Sequence, residues 1–225
     1  MGKITLRPIS RAALALTRRE LLCNFPDSAI RKSNLGRILL DIEDEALPSD
    51  ARAWYGTPGP VLAADLHKLR LYASGKRHKK RGEQLGQSPE TIRRHALRAA
   101  RALGGESIAH GIRFADDYEL LDIPPVEPRG SVSPVGLAVV SLISRGVQPG
   151  NIQVLSGQPY KETFQVILSR TRNALGATIG SLVPLARRSG YLYPDYDLMG
   201  WERPQAPAIV ADVNFPSQGA PHLLE

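Results

Sequence analysis

Apolar residues recur at helical spacing along most of the chain. Leu35, Ile38, Leu39 and Ile42 stand at i, i+3, i+4 and i+7, the stripe of an amphipathic helix. Leu62, Leu66, Leu69 and Tyr72 trace a second stripe, closed by Gly75; a glycine just past the last turn accepts the left-handed backbone that ends a helix. Ile92, Ala96, Ala99 and Leu103 mark a third. Phe164, Ile167 or Leu168, Thr171 and Leu175 mark a fourth. "SRAALALTRRELLC", from Ser10 to Cys23, adds a helix with Ser10 as its N-cap. The pattern predicts a mainly α protein. Minor β structure is expected only near the N-terminus, in residues 3–8, and as a short hairpin or irregular bridge at 106–122.

Turn formers divide the helical blocks. "PSDARAWYGTPGP" reads as a loop before residue 61, and "IPPVEPRGSVSP" holds four prolines in twelve residues, the composition of a semi-rigid linker. The expected organisation is an N-terminal helical region at 1–60, a first helical domain at 61–122, a linker at 123–133, a second helical domain at 134–200 and a Pro-rich tail at 201–225. The tail has little periodicity, so it is expected to be either disordered or an extended arm laid across a partner.

Charge changes the picture. The formal net charge is +7 and the pI is about 9.7, which favours an acidic partner. Between Leu66 and Gly105 there are eleven Lys and Arg against two acidic residues. That segment therefore carries +9, and the remainder of the chain carries −2. Such a concentration is the electrostatic footprint of a phosphate-binding element. No apolar run reaches the roughly 20 residues of a membrane helix, and residues 1–10 have no secretory h-region. Cys23 is the sole cysteine, so no internal disulfide or cysteine zinc site is expected, and a reducing, cytoplasmic compartment is.

The basic segment also has the grammar of two helices joined by a tight turn. Lys79 to Leu85 make about two turns, Gly86 can end them, Ser88 is a natural N-cap and Pro89 stands at N1. Glu90 suits the positive end of the helix dipole, while Arg93, Arg94, Arg98 and Arg101 fall off the apolar stripe. His95 is expected to be a partly buried packing residue. The run from Leu66 to Gly104, with Glu83-Gln84-Leu85-Gly86, Ser88-Pro89-Glu90-Thr91-Ile92, His95 and Ala102-Leu103-Gly104, resembles the helix-turn-helix of LuxR/FixJ-type response regulators and of sigma-factor region 4. It departs from that pattern at Arg81 and Gly82. The resemblance implies a recognition helix in the major groove. Glu90, Thr91, Arg93 and Arg94 would then read bases, while Lys76, Arg77, Lys79, Lys80, Arg98 and Arg101 would touch phosphates.

Residues 142–176 repeat the outline. "LYASG" at 71–75 matches "LISRG" at 142–146 with an offset of 71, and Glu90, Arg98 and Gly104 match Glu162, Arg170 and Gly176 with an offset of 72. One inserted residue near the turn reconciles the two. The second copy carries only +3 between 136 and 177. Its expected contacts are Lys161, Gln165, Arg170 and Arg172, either on DNA or at a dimer or partner interface. This copy also resembles, faintly, the helix-turn-helix of the flagellar master regulator FlhC, without that family's cysteine zinc ligands.

Catalytic signatures are missing. The sequence has no Gly-x-Ser-x-Gly elbow and no phosphate loop ending in Gly-Lys-Ser/Thr. Its five histidines lack metal-ligand spacing. "FADDYELLD" and "YPDYD" gather carboxylates, but acidic surface loops are the expectation, with "DDYELLD" a candidate contact for a protein partner. The expected function is sequence-specific DNA binding in transcriptional regulation through tandem helix-turn-helix units, as a dimer on a paired site, with neither enzyme activity nor cofactor. An RNA-binding or structural subunit of a ribonucleoprotein, or a plasmid or phage replication or partition protein, would use the same basic segment. Aromatic residues are absent from 79–104, which disfavours single-strand stacking.

Overall fold

Short polar side chains start six of the helices in a computed structural model that describes residues 9–43, 47–75, 82, 85–123, 127–157 and 161–211. Ser10, Ser33, Asp50, Ser88, Ser107 and Ser133 each accept a backbone N–H from three residues ahead, and a cap of this kind contributes about 1 kcal/mol. The helices are α1 (Arg11–Asn24), α2 (Asp27–Ile30), α3 (Asn34–Leu40), α4 (Ala51–Tyr55), α5 (Ala63–Ala73), α6 (Pro89–Ala102), α7 (Ile108–Asp117), α8 (Pro134–Ser144), α9 (Pro149–Leu155), α10 (Lys161–Leu175), α11 (Leu182–Arg188) and α12 (Asp195–Met199). Two short strands, β1 (Val61–Leu62) and β2 (Ile209–Val210), form a parallel pair. The fold is mainly α.

One apolar cluster gathers buried residues from Ala13 to Leu192. α1 lies along α8 and also meets α3 and α12. α5 packs on α6, and both pack on α7. Likewise α8 packs on α10, and both pack on α11. The expected repeat of 66–104 at 142–176 relates α5 to α8 and α6 to α10, and the contacts place α7 and α11 in matching positions beyond it. α9 occupies the place of the stretch that holds Gly82 and Leu85, both helical. Left-handed glycines punctuate the two halves at matching points: Gly75 and Gly146, Gly86 and Gly157, Gly104 and Gly176. The first two pairs are 71 apart and the last is 72 apart, so the inserted residue falls just before the third helix of the second half.

Residues 106–122 are not the expected hairpin. Ser107 caps α7, and the eight residues from His110 to Asp117 are all buried. α7 meets α5, α6, α8 and α11, which bury even its polar stripe of His110, Arg113, Asp116 and Asp117. The predicted strand at 3–8 lies outside the described residues. The Pro-rich stretch crosses the end of α10, where Gly130 N donates to Ala174 O (3.0 Å). Residues 201–211 of the tail form an extended arm on the same chain: Arg203 pairs with Glu119, and β2 aligns Ile209 with Val61.

Candidate nucleic-acid interface

Three local features set α6. Gly86 takes φ 58°, Gln87 N closes the turn onto Gly82 O (3.2 Å), and Ser88 Oγ accepts from Thr91 N (3.1 Å). Ile92, Ala96, Ala99 and Ala100 bury one face. The other face presents Glu90, Arg93, Arg94, Arg98 and Arg101, all exposed, with Thr91 half-buried. Ser88 and Thr91 share a hydroxyl contact at 2.9 Å, so Thr91 stands beside the cap. Arg93 pairs with Glu90 at 3.1 Å on the surface, an ion pair worth under about 1 kcal/mol that an incoming phosphate or base can replace.

Arg98 is different from its neighbours. Its guanidinium grips the buried Asp65 of α5, with Nη2 2.8 Å from Oδ1 and Nε on Oδ2, while His95 Nδ1 is 2.6 Å from the same carboxylate. Burial pushes the Asp65 carboxyl up, but hydrogen bonds from Arg98 and His95 outweigh it and hold the pKa below the ordinary value. Arg98 and His95 therefore lock α6 to α5. A phosphate reaching Arg98 would share its guanidinium with Asp65, because the Arg98 side chain stays 57% exposed. Arg94, His95, Leu97, Arg98 and Arg101 line a shallow surface groove of about 400 Å³. Lys76, Arg77, Lys79 and Lys80, expected at phosphates, lie outside the described residues.

In the second half, α10 exposes Gln165 and Arg170 and half-buries Arg172. Lys161 begins the helix, and its side chain lies outside the described residues. Phe164, Thr171 and Leu175 are buried, as the repeat predicts. The structure thus brings Glu90, Thr91, Arg93, Arg94 and Arg101 together on one face of α6, and exposes Gln165 and Arg170 on α10.

A second concentration of charge was not foreseen, and it is internal. Glu20, Arg113, Arg145 and Asp195, from α1, α7, the end of α8 and α12, have side chains with 0% exposure. Arg113 forks onto Asp195, Nε to Oδ2 at 3.1 Å and Nη2 to Oδ1 at 2.6 Å. Arg145 bridges Asp195 (2.6 Å) and Glu20 (2.8 Å). Trp54 Nε1 donates to Asp195 (2.9 Å), Tyr193 N donates to Glu20 (2.9 Å), and Arg113 also donates to Ser144 and to Tyr193 O. Two carboxylates and two guanidiniums cancel, which is what permits charges to be buried at all. Burial pushes Glu20 up, yet Arg145 and Arg113 hold its pKa below the ordinary range, and Asp195 is held down in the same way. His110, beside this group, is pushed down to about 4 by burial; its Nδ1 accepts from Glu106 N (3.3 Å) and its Nε2 has no hydrogen-bond partner among the described residues.

Three carboxylates of the acidic motifs, Asp116, Asp117 and Asp195, are buried in the interior, which corrects their expected place on surface loops; Glu119, Asp122 and Asp197 are exposed. Asp116 and Asp117 of α7 are buried against Arg187 and Arg188 of α11: Arg187 reaches both, at 2.5 Å for Asp117, and Arg188 reaches Asp116 at 2.7 Å. Tyr55 Oη donates to Asp117 (2.8 Å). Burial pushes the Asp117 carboxyl up in spite of Arg187. Asp195, from "YPDYD", is the buried acid already described. One signal was available in the sequence: Glu20 stands on the apolar stripe of α1 with Ala13, Leu16 and Thr17, a charge at a core position. No group of His, Cys, Asp and Glu among the described residues has the arrangement of a metal site, and no described helix is long and apolar enough to cross a membrane. No protein-family profile, no curated protein and no solved structure matches the chain.

Proposed function

We propose that the chain is a sequence-specific double-stranded DNA-binding protein of transcriptional regulation, with α6 as the helix that enters the major groove. The observation that carries this reading is the exposed arginine face of α6, behind a glycine turn and a serine cap, within a segment of charge +9. Arg93 and Arg94, near the N-terminal end of the helix, suit bidentate contacts to guanine. Arg101 suits phosphate. The rigid seat of α6 on α5, through Asp65, His95 and Arg98, favours a probe that meets the duplex at a fixed angle. The internal carboxylates and guanidiniums are inaccessible and balanced, so they serve the fold rather than a reaction.

Nuclease protection of nucleic acid bound to the full chain, followed by sequencing, tests this. A discrete DNA duplex is expected, and Arg93→Ala with Arg94→Ala should abolish its specific retention while the melting temperature holds. Undiminished binding by that variant would refute the groove assignment. A discrete RNA in place of duplex DNA would replace the reading with a ribonucleoprotein role.

A further inference from the structure

The two helical halves meet as the two subunits of a two-fold dimer meet. α7 packs on its counterpart α11. α5 of the first half packs on α11 of the second, and α8, the counterpart of α5, packs on α7. Each cross-contact therefore has its mirror when the halves are exchanged, the signature of an isologous interface. The ends of α7 and α11 close identically 71 residues apart: Leu120 N donates to Ala115 O and Tyr191 N to Ala186 O, with Glu119 and Gly190 both left-handed. That register makes Asp116 the counterpart of Arg187, and Asp117 that of Arg188. These are the residues that pair with each other across the junction. Two copies of the first half would set Asp against Asp there, and two copies of the second would set Arg against Arg. The charges select the pairing of unlike halves within one chain.

The exchange relates α10 to α6. At the register of 72, Gln165 replaces Arg93, Val166 replaces Arg94, Asn173 replaces Arg101, and Arg170 keeps the place of Arg98. Gln165, Val166 and Asn173 are exposed, and Val166 is 46% exposed with no core to serve. A glutamine amide pairs bidentately with adenine, and an apolar side chain fits the thymine methyl. We infer that the second half is a second reader of the same duplex, with α10 taking an A·T-containing half-site through Gln165 and Val166, so that one chain reads two unlike half-sites. This rests on the DNA-binding function proposed above.

Selection of duplexes from a random library by the full chain, followed by sequencing, separates the two. The expected result is one chain per duplex and a bipartite motif at one fixed spacing, with a guanine-bearing half and an A·T half. Two-fold helix-turn-helix proteins place their half-sites about 10 base pairs, or a multiple, apart. Gln165→Ala with Val166→Ala should erase preference in the A·T half alone and weaken the full site roughly 10-fold, with an unchanged melting temperature since both residues are exposed. A single half-site, two identical half-sites bound by two chains, or an unaltered bipartite motif from the double variant would overturn this inference. If the single guanine-bearing half then disappears with Arg93→Ala and Arg94→Ala, DNA binding stands and only the second reader falls. Enrichment of no duplex at all would remove both.

Discussion

Arg113 and Arg101 are both helical arginines, and they sit in opposite worlds. Arg113 is fully buried in α7, where it donates to Asp195, Ser144, Glu20 and the Tyr193 carbonyl. Arg101 stands exposed in the last turn of α6. Arg98 lies between them, half in water and half on a buried carboxylate. A guanidinium is rarely fully buried unless carboxylates compensate it. The interior arginines are therefore committed to the fold, and the exposed ones remain available to a phosphate. Counting basic residues along a segment measures neither role, and a graded series of substitutions does.

The largest effect should come from Arg113→Ala. It leaves Asp195 and Glu20, both fully buried, short of a partner, and breaking a buried pair in this way costs about 3–5 kcal/mol. Urea unfolding should show the loss as a lower midpoint. Lysine at 113 would restore charge but not the fork onto Asp195, so it should recover only part of it. A midpoint unchanged by Arg113→Ala would mean the cluster does not hold α1, α7, α8 and α12 together.

His110 should give the next effect, and it is visible in pH. Unfolded, its imidazole takes a proton near pH 6.5; folded, burial delays this to about 4, with Asp195 favouring the proton and Arg113 and Arg145 opposing it. Between those values the unfolded state binds more protons, so stability is full above 6.5 and drains as pH falls through 4. The span corresponds to about 3 kcal/mol. His110→Asn should remove this part of the slope between pH 7 and pH 4, as read from melting temperatures. A slope unaltered in the variant would place the acid sensitivity elsewhere.

These two residues also show where the sequence was readable. The stripe at 92, 96, 99 and 103 predicted α6 and its exposed face, because a helix half in water keeps its period. The repeat at 71 and 72 predicted the second half, since glycines that must adopt positive φ recur with the turns they make. α7 was misread because its polar stripe of His110, Arg113, Asp116 and Asp117 faces the interior, where charges are not expected. Asp116 and Asp117 looked like surface charge because their partners are 70 or more residues away, at 187 and 188. The role of Arg98 was hidden for the same reason, with Asp65 33 residues back.

Arg98→Ala should fall in the middle of the series. Among the described residues it leaves the Asp65 carboxylate, 2% exposed, with His95 alone, and a buried acceptor short of its donor costs about 1–3 kcal/mol. Its effect on DNA binding should act through the seating of α6, so Asp65→Ala, which touches no phosphate, should weaken binding in parallel. If Asp65→Ala leaves affinity intact while Arg98→Ala lowers it, Arg98 contacts the nucleic acid directly and its latch on α5 is incidental.

Arg101→Ala should be the quietest change in the folded protein and the clearest at the interface. An exposed charge in the last turn interacts with the helix dipole for at most a few tenths of a kcal/mol in salt, so stability should stay within about 0.5 kcal/mol of the parent. A guanidinium that neutralises one phosphate displaces one set of condensed counterions. Its removal should weaken binding to every duplex alike and flatten the plot of log affinity against log salt by about 0.9. Arg94→Ala is the matching control: at a base edge it should alter which sequence is preferred. Should Arg101→Ala change sequence preference while the salt slope holds, then Arg101 reads bases and the groove extends to the C-terminal end of α6.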